Sequence, residues 1–222
     1  MKIFFKQLLF VCIALIGFSA SAHDNSSPLV KKGLEYNNNC EYTKALQCFR
    51  KGANKGDSEA QFYYGYYYEN GLGIEQSYSK AAFWYEKAAN KGVLSAKHNL
   101  ALLFVDGKGV KKNQPYAVKL MTECANANLP ISQYMLGVFY ENGEGVNQSI
   151  PIAAKWYEKA ARNGHIDAQR TLATLHYLYG DKEMAKYWIT IAAQNGDEAA
   201  IELYPTITNT VLESLFQDSE NK

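Results

Sequence analysis

The chain has 222 residues, 47% of them apolar, 20% charged and 14% aromatic, with 23 basic residues against 22 acidic. This is too apolar for a disordered chain, and a formal charge of +1 leaves no basic excess to hold nucleic acid or an anionic membrane. Four histidines and four cysteines make a poor host for a metal cluster, whereas seventeen tyrosines call for an explanation.

Residues 1–22 read as an export signal. Lys2 and Lys6 precede an unbroken apolar run over residues 8–18 (LLFVCIALIGF), and Ala20-Ser21-Ala22 supplies the small-x-small pattern for cleavage after Ala22. As a helix, eleven residues span about 16 Å, against roughly 30 Å of hydrocarbon, too short for a membrane anchor. Cys12 follows Phe10-Val11 and lacks the small residue expected before a lipid-modified cysteine. Removing the segment takes two of the 23 basic residues and none of the 22 acidic ones, so the mature chain is formally −1. The expectation is a periplasmic or secreted protein with no membrane span after cleavage.

Cys40, Cys48 and Cys124 remain, an odd number for an oxidising compartment. Cys40 is expected at a turn and Cys48 about two turns into the next helix, roughly 10 Å along the axis and beyond the reach of a disulfide. No disulfide is expected, and Cys40 is left able to react with another chain.

A 36-residue period runs through the middle of the chain, visible when residues 58–93, 94–129 and 130–165 are aligned. Ala60, Ala96 and Ser132 coincide, as do Gly65, Ala101 and Gly137. The glycine pairs Gly71/Gly73, Gly107/Gly109 and Gly143/Gly145 coincide, each followed by Ile74, Val110 or Val146. Trp84-Tyr85, Leu120-Met121 and Trp156-Tyr157 come next, then Ala88-Ala89, Cys124-Ala125 and Ala160-Ala161, with Gly92, Asn128 and Gly164 at the end. Shorter copies flank these three. Residues 166–196 repeat the pattern with four residues missing from the inter-helix loop, and residues 23–57 carry no Gly-x-Gly loop. Cys48 takes the Trp position and Cys124 an Ala position, so both are expected as buried thiols.

Within each unit, alanines and aromatics recur at three- and four-residue steps, a helical period. Each unit is read as helix A, a Gly-x-Gly loop, helix B and a tight turn closed by glycine. Asp57-Ser58, Ser95, Ser132 and Asp167 fall near helix starts, and Pro115 and Pro151 at second-helix starts. Pro205 is expected to end the last helix A. Residues 206–216, with Ile207, Val211, Leu212 and Leu215 along one side, are expected as a C-terminal cap within residues 197–222.

The pattern Ala60-x4-Gly65-x2-Tyr68-x2-Gly71-x-Gly73-Ile74, then Lys80-Ala81-x2-Trp84-Tyr85-x2-Ala88-Ala89-x2-Gly92, resembles the Sel1-like repeat (SLR), a relative of the tetratricopeptide repeat with a longer loop. The segment before residue 58 resembles a plain tetratricopeptide unit. The resemblance implies an all-α fold, a right-handed α/α superhelical solenoid of SLR/TPR-like helix pairs, in a bacterial exported member of the family. It also implies a partner bound on the concave face, in signalling, envelope or host interaction.

Motifs for chemistry are sparse. None of the Gly-x-Gly loops continues as a dinucleotide or phosphate loop, and His23, His98, His165 and His176 have no metal-ligand spacing. Glu69 and Glu141 occupy equivalent positions beside Asn-Gly and read as loop anchors rather than an acid/base pair. No catalytic residue, metal or cofactor is expected. A cysteine-rich branch of the resembled family implies β-lactamase or penicillin-binding activity, with paired cysteines near positions matching Ala89 and Lys97. This chain has none there.

A surface remains. The resemblance puts helix A on the concave side. If Tyr64, Gly65 and Tyr68 face helix B, the opposite stripe is Phe62, Tyr66 and Glu69. Its equivalents are His98, Leu102 and Val105, then Tyr134, Val138 and Glu141, then Arg170, Thr174 and Tyr177. This strip is the candidate groove for a protein, a peptide or a cell-envelope polymer.

Overall fold

The computed structural model describes residues 26–209. The export signal, His23 and the cap residues Val211, Leu212 and Leu215 lie outside the described residues. Among the described residues eleven helices follow one another: α1 (Pro28–Asn38), α2 (Tyr42–Asn54), α3 (Ser58–Asn70), α4 (Tyr78–Ala89), α5 (Leu94–Asp106), α6 (Gln114–Asn126), α7 (Pro130–Asn142), α8 (Ile150–Arg162), α9 (Ile166–Leu178), α10 (Lys182–Gln194) and α11 (Glu198–Thr208). They fall into two compact units that divide between Lys112 and Asn113, α1–α5 in the first and α6–α11 in the second. In each unit every helix packs on the one before and the one after it.

Helices come close because one side of the crossing has no side chain. A Cβ added at Gly33 would lie 2.5 Å from the Phe49 ring, at Gly65 2.8 Å from Tyr85, and at Gly137 2.5 Å from Tyr157. Each ring therefore lies directly on the backbone of its partner helix, and all three rings are buried. In the α9/α10 pair Ala173 stands at the glycine position and Ile189 at the aromatic one, both in one buried cluster. Small pairs with large at constant summed volume, as close packing requires.

The tyrosines fill this space. Phe49 stacks on Tyr63 at 4.9 Å and meets Tyr67 edge-on at 5.1 Å. The Tyr67 hydroxyl donates to Asn37 Oδ1 at 2.7 Å, so the buried polar tip is satisfied. Tyr64 packs on Trp84 of α4 at 5.0 Å, the helix-B-facing orientation expected from the sequence.

A second device joins successive helix pairs. Gln61, Gln133 and Gln169, all buried, donate from Nε2 to the carbonyls of Ala53, Ala125 and Ala161 at 3.3, 3.0 and 3.1 Å. These carbonyls belong to the last turn of the preceding helix and also accept from the N–H groups of Gly56, Asn128 and Gly164 in the turn that follows. Gln133 Oε1 and Gln169 Oε1 then accept from Asn163 and Asn195 at 2.8 and 3.1 Å. Lys91 holds the corresponding place in the first unit and donates instead to the Gly56 carbonyl, leaving Gln61 Oε1 buried without a partner.

Several local expectations are corrected. Asp57 caps α3 through the Ala60 N–H at 3.0 Å, but Ser95 and Ser132 lie inside their helices, and Val93 and Leu129 hold the N-cap positions. Pro205 does not end α11, which runs on to Thr208. Tyr204 and Ile207, buried on either side of it, hold the last turn against the one hydrogen bond that proline forfeits. Cys40 sits exposed in the α1–α2 turn with φ +58°, Cys48 is a buried thiol on α2, and Cys124 is buried.

Two predictions follow from packing. Gly137→Ala should lower stability by about 1–3 kcal/mol by overpacking, and adding Tyr157→Ile should recover part of the loss, read as midpoints in urea. Lys91→Asn should raise stability by roughly 1 kcal/mol by giving Gln61 Oε1 its donor. An unchanged urea midpoint would contradict this.

Candidate functional site

The sequence-predicted strip divides between the two units. In the first unit it is largely closed. Phe62 and Tyr66 are each only 6% exposed and His98 only 5%, which corrects the expectation that they offer side chains to a partner. The Phe62 ring packs on Tyr63 at 5.1 Å and on Tyr85 at 5.9 Å, so the helix-A face in which it sits is core. Leu102 and Val105 are half-buried.

Glu69 and Glu141 are structural. Tyr85 donates its hydroxyl to Glu69 Oε2 at 2.5 Å, and Tyr157 does the same to Glu141 at 2.5 Å. Burial pushes the Glu69 carboxyl above its ordinary range although the Tyr85 hydroxyl pulls the other way. The backbone carbonyls of the same two residues accept from Gln76 and Gln148 at 2.7 and 2.8 Å. Each glutamate thus fixes a helix-B tyrosine through its side chain and the Gly-x-Gly loop through its backbone, and the two lie in separate units.

In the second unit the first strip position is a staple between neighbouring helix pairs. Tyr134 is half-buried and stacks on His165 with ring centroids 4.6 Å apart. His165 is the N-cap of α9, its Nδ1 accepting from the Ala168 N–H at 3.3 Å, a capping role that sequence reasoning missed because histidine is not among the usual cap residues. At the equivalent place in α9, Arg170 bridges Asp167, at 2.6 Å, and the buried Asp197 carboxylate at the start of α11. Val138 packs against the cluster of the unit. Thr174 is exposed and Tyr177 is 40% exposed, one turn apart on α9. These two are the strip residues that remain open in the second unit.

Among the described residues the largest apolar exposure lies just beyond them. Leu178 and Tyr179, at the end of α9, are 72% and 73% exposed. Neither was predicted as a site residue. The signal that could have found them is the replacement of Glu-Asn-Gly, which ends α3 and α7, by Tyr-Leu-Tyr-Gly at 177–180. Among the described residues no group of three His, Cys, Asp or Glu side chains could hold a metal ion. No described helix is long and apolar enough to cross a membrane.

The Sel1 repeat family model matches residues 33–57, 58–93, 94–129, 130–165 and 166–197. The chain belongs to the Sel1 repeat family. Its structure is similar to that of a Sel1 repeat protein from Oxalobacter formigenes, with a TM-score of 0.75 and 26% identity over 85% of this chain and 82% of that one. It is also similar to c5321, described as a protective antigen of uropathogenic Escherichia coli with an SLR fold. There the TM-score is 0.72 at 29% identity, over 87% of this chain and 45% of the other. The immunity protein Pa5087 from Pseudomonas aeruginosa shares the fold at 15% identity, with a TM-score of 0.55 over 88% and 85% of the two chains. Among curated proteins the comparison finds no match. The fold is that of an SLR protein: described helices only, packed in consecutive pairs.

His165 carries a pH prediction. Burial lowers its pKa below the ordinary 6.5, as does Arg170 more weakly, while Asp167 opposes them. Tyr134 covers its ring face. Its proton therefore binds the unfolded chain better than the folded one, so its contribution is fully present above pH 6.5. Stability should fall as pH drops from there through the lowered folded value, then level off. In His165→Asn, which keeps a side-chain cap, that component should vanish from urea midpoints measured between pH 5 and 8.

Proposed function

We propose that the protein is a non-catalytic, exported scaffold that binds a protein or peptide partner on the helix-A surface of its second unit. The observation that carries the reading is the open face of α9. Thr174 and Tyr177 are exposed one turn apart, next to two strip residues locked into neighbouring contacts, Tyr134 and Arg170. A tyrosine presented from a rigid helix gives large contact area at low entropic cost, which suits a recognition surface. Membership of a repeat family supports the class, since stacked helix pairs offer extended surfaces on which function is grafted.

The candidate reactive groups support a non-catalytic role. Glu69, Glu141, His165 and Arg170 are each engaged in holding helices or loops. Export rests on the basic-apolar-small order of residues 1–22 and places the protein in the periplasm or beyond. The protective-antigen description of the E. coli relative supports that placement.

The test is cross-linked capture from a native envelope fraction followed by mass spectrometry. Thr174→Arg combined with Tyr177→Glu should lower recovery of the specific partner at least tenfold while circular dichroism shows unchanged helicity. Full recovery by a well-folded double variant would remove this surface from the function.

A further inference from the structure

Three inter-helix loops share a covering role that the fourth has lost. After α3, α5 and α7, the second glycine of each loop lies against the backbone at the start of an earlier helix. Gly73 meets Tyr42 and Thr43 of α2, Gly109 meets Tyr78 and Ser79 of α4, and Gly145 meets Gln114 of α6. The left-handed backbone of these glycines, with φ between 67° and 72°, and their lack of a Cβ make the approach possible. Each loop then places a branched aliphatic residue, Ile74, Val110 or Val146, directly after the turn.

After α9 the loop is four residues shorter, and the parts that hold it are missing as well. Tyr177 stands where Glu69 and Glu141 hold the loops, and Ile189 where Tyr85 and Tyr157 donate to those glutamates. Val105 and Met121 replace the same residues around the α5 loop, which is full length, so the shortening itself sets the α9 loop apart. The helix start that the loop would cover is that of α8. It reads Ile150-Pro151-Ile152, with Ile152 39% exposed, where α2 and α4 carry Lys44 and Lys80 and α6 carries Tyr116, itself 37% exposed. Helices α8 and α9 have 13 residues each and are joined by the short turn 163–165. The start of α8 and the end of α9 therefore lie at the same end of the hairpin. That end exposes Ile152, Tyr177, Leu178 and Tyr179.

The size of this surface argues for its occupant. With side chains of about 150–250 Å² each, the exposed fractions amount to roughly 400 Å², within the range of functional patches. A stable pair of copies needs about 800 Å² from each partner, twice what is present. A single turn of chain fits the area, and the other loops of this chain show what such a turn looks like.

We propose that this end of the second unit receives a glycine-containing turn bearing a branched aliphatic residue, presented by a partner protein, where the chain's own Gly-x-Gly loops sit elsewhere. The proposal rests on the scaffold reading for the class of partner and adds a place and a chemistry.

The test uses the purified full chain and a fluorescent peptide with the sequence of residues 140–150, YENGEGVNQSI, followed by polarisation. The full chain should bind it saturably. Leu178→Ser with Tyr179→Ser should weaken binding at least tenfold. A loop graft, in which residues 178–181 are replaced by residues 142–149, should abolish binding while keeping native helicity and an equal or higher melting midpoint. Absence of binding to the unaltered chain, or equal binding by a folded graft, overturns the proposal. So does a dimer in sedimentation that the graft dissociates, which would give the surface to a second copy. Binding that appears only after removal of residues 210–222 would give it to the chain's own tail and overturn it equally. If peptide binding fails while envelope capture still depends on Thr174 and Tyr177, the scaffold reading stands and this site falls.

Discussion

An aromatic ring resting on a glycine backbone is the contact around which the α3/α4 and α7/α8 pairs are built. Gly65 lets Tyr85, and Gly137 lets Tyr157, lie against the opposing helix, and from there the hydroxyl reaches a glutamate one turn further along that helix. The glutamate's own carbonyl is then placed to accept from Gln76 or Gln148, which holds the loop. In these two pairs glycine, tyrosine, glutamate and loop are joined in one series of contacts. In the α9/α10 pair all four change together, to Ala173, Ile189, Tyr177 and a loop shorter by four residues. A change at one point of a tightly packed crossing is accommodated by changes at the others.

A second layer of contacts connects one helix pair to the next through buried amides. Gln133 and Gln169 each take up a helix-terminal carbonyl on one side and an asparagine on the other. The N-cap positions of α9 and α11 serve the same purpose from outside, His165 by stacking on Tyr134 and Asp197 by pairing with Arg170. Groups that look reactive in isolation are thereby spent on architecture.

What the Sel1 repeats leave to the solvent differs between the two units. In the first, Phe62 and Tyr66 are drawn into the aromatic packing around Tyr63 and Tyr85, and the strip closes. In the second, aliphatic and small residues replace several of those rings, and α9 ends in an exposed run of Tyr177, Leu178 and Tyr179. The departures from the repeat, rather than the repeat itself, set which apolar side chains α9 leaves exposed.

The sequence alone determined the helix pairs, their boundaries near glycine and proline, the loop glycines in left-handed conformation and the family. Each of these follows from local rules, such as side-chain periodicity, the φ freedom of glycine and the missing N–H of proline. The volume exchange between Gly and Tyr was also legible, because aligned repeats display it position by position. Exposure was not. Whether position 62 faces water or Tyr85 depends on the size of side chains contributed by helices far apart in sequence, and a stripe drawn on one helix does not contain that information. The continuation of α11 through Pro205 and the capping of α9 by His165 were likewise decided by tertiary packing. Buried neighbours on both sides outweigh one lost hydrogen bond in the first case. In the second, the ring of Tyr134 stacks on the imidazole and holds it in place.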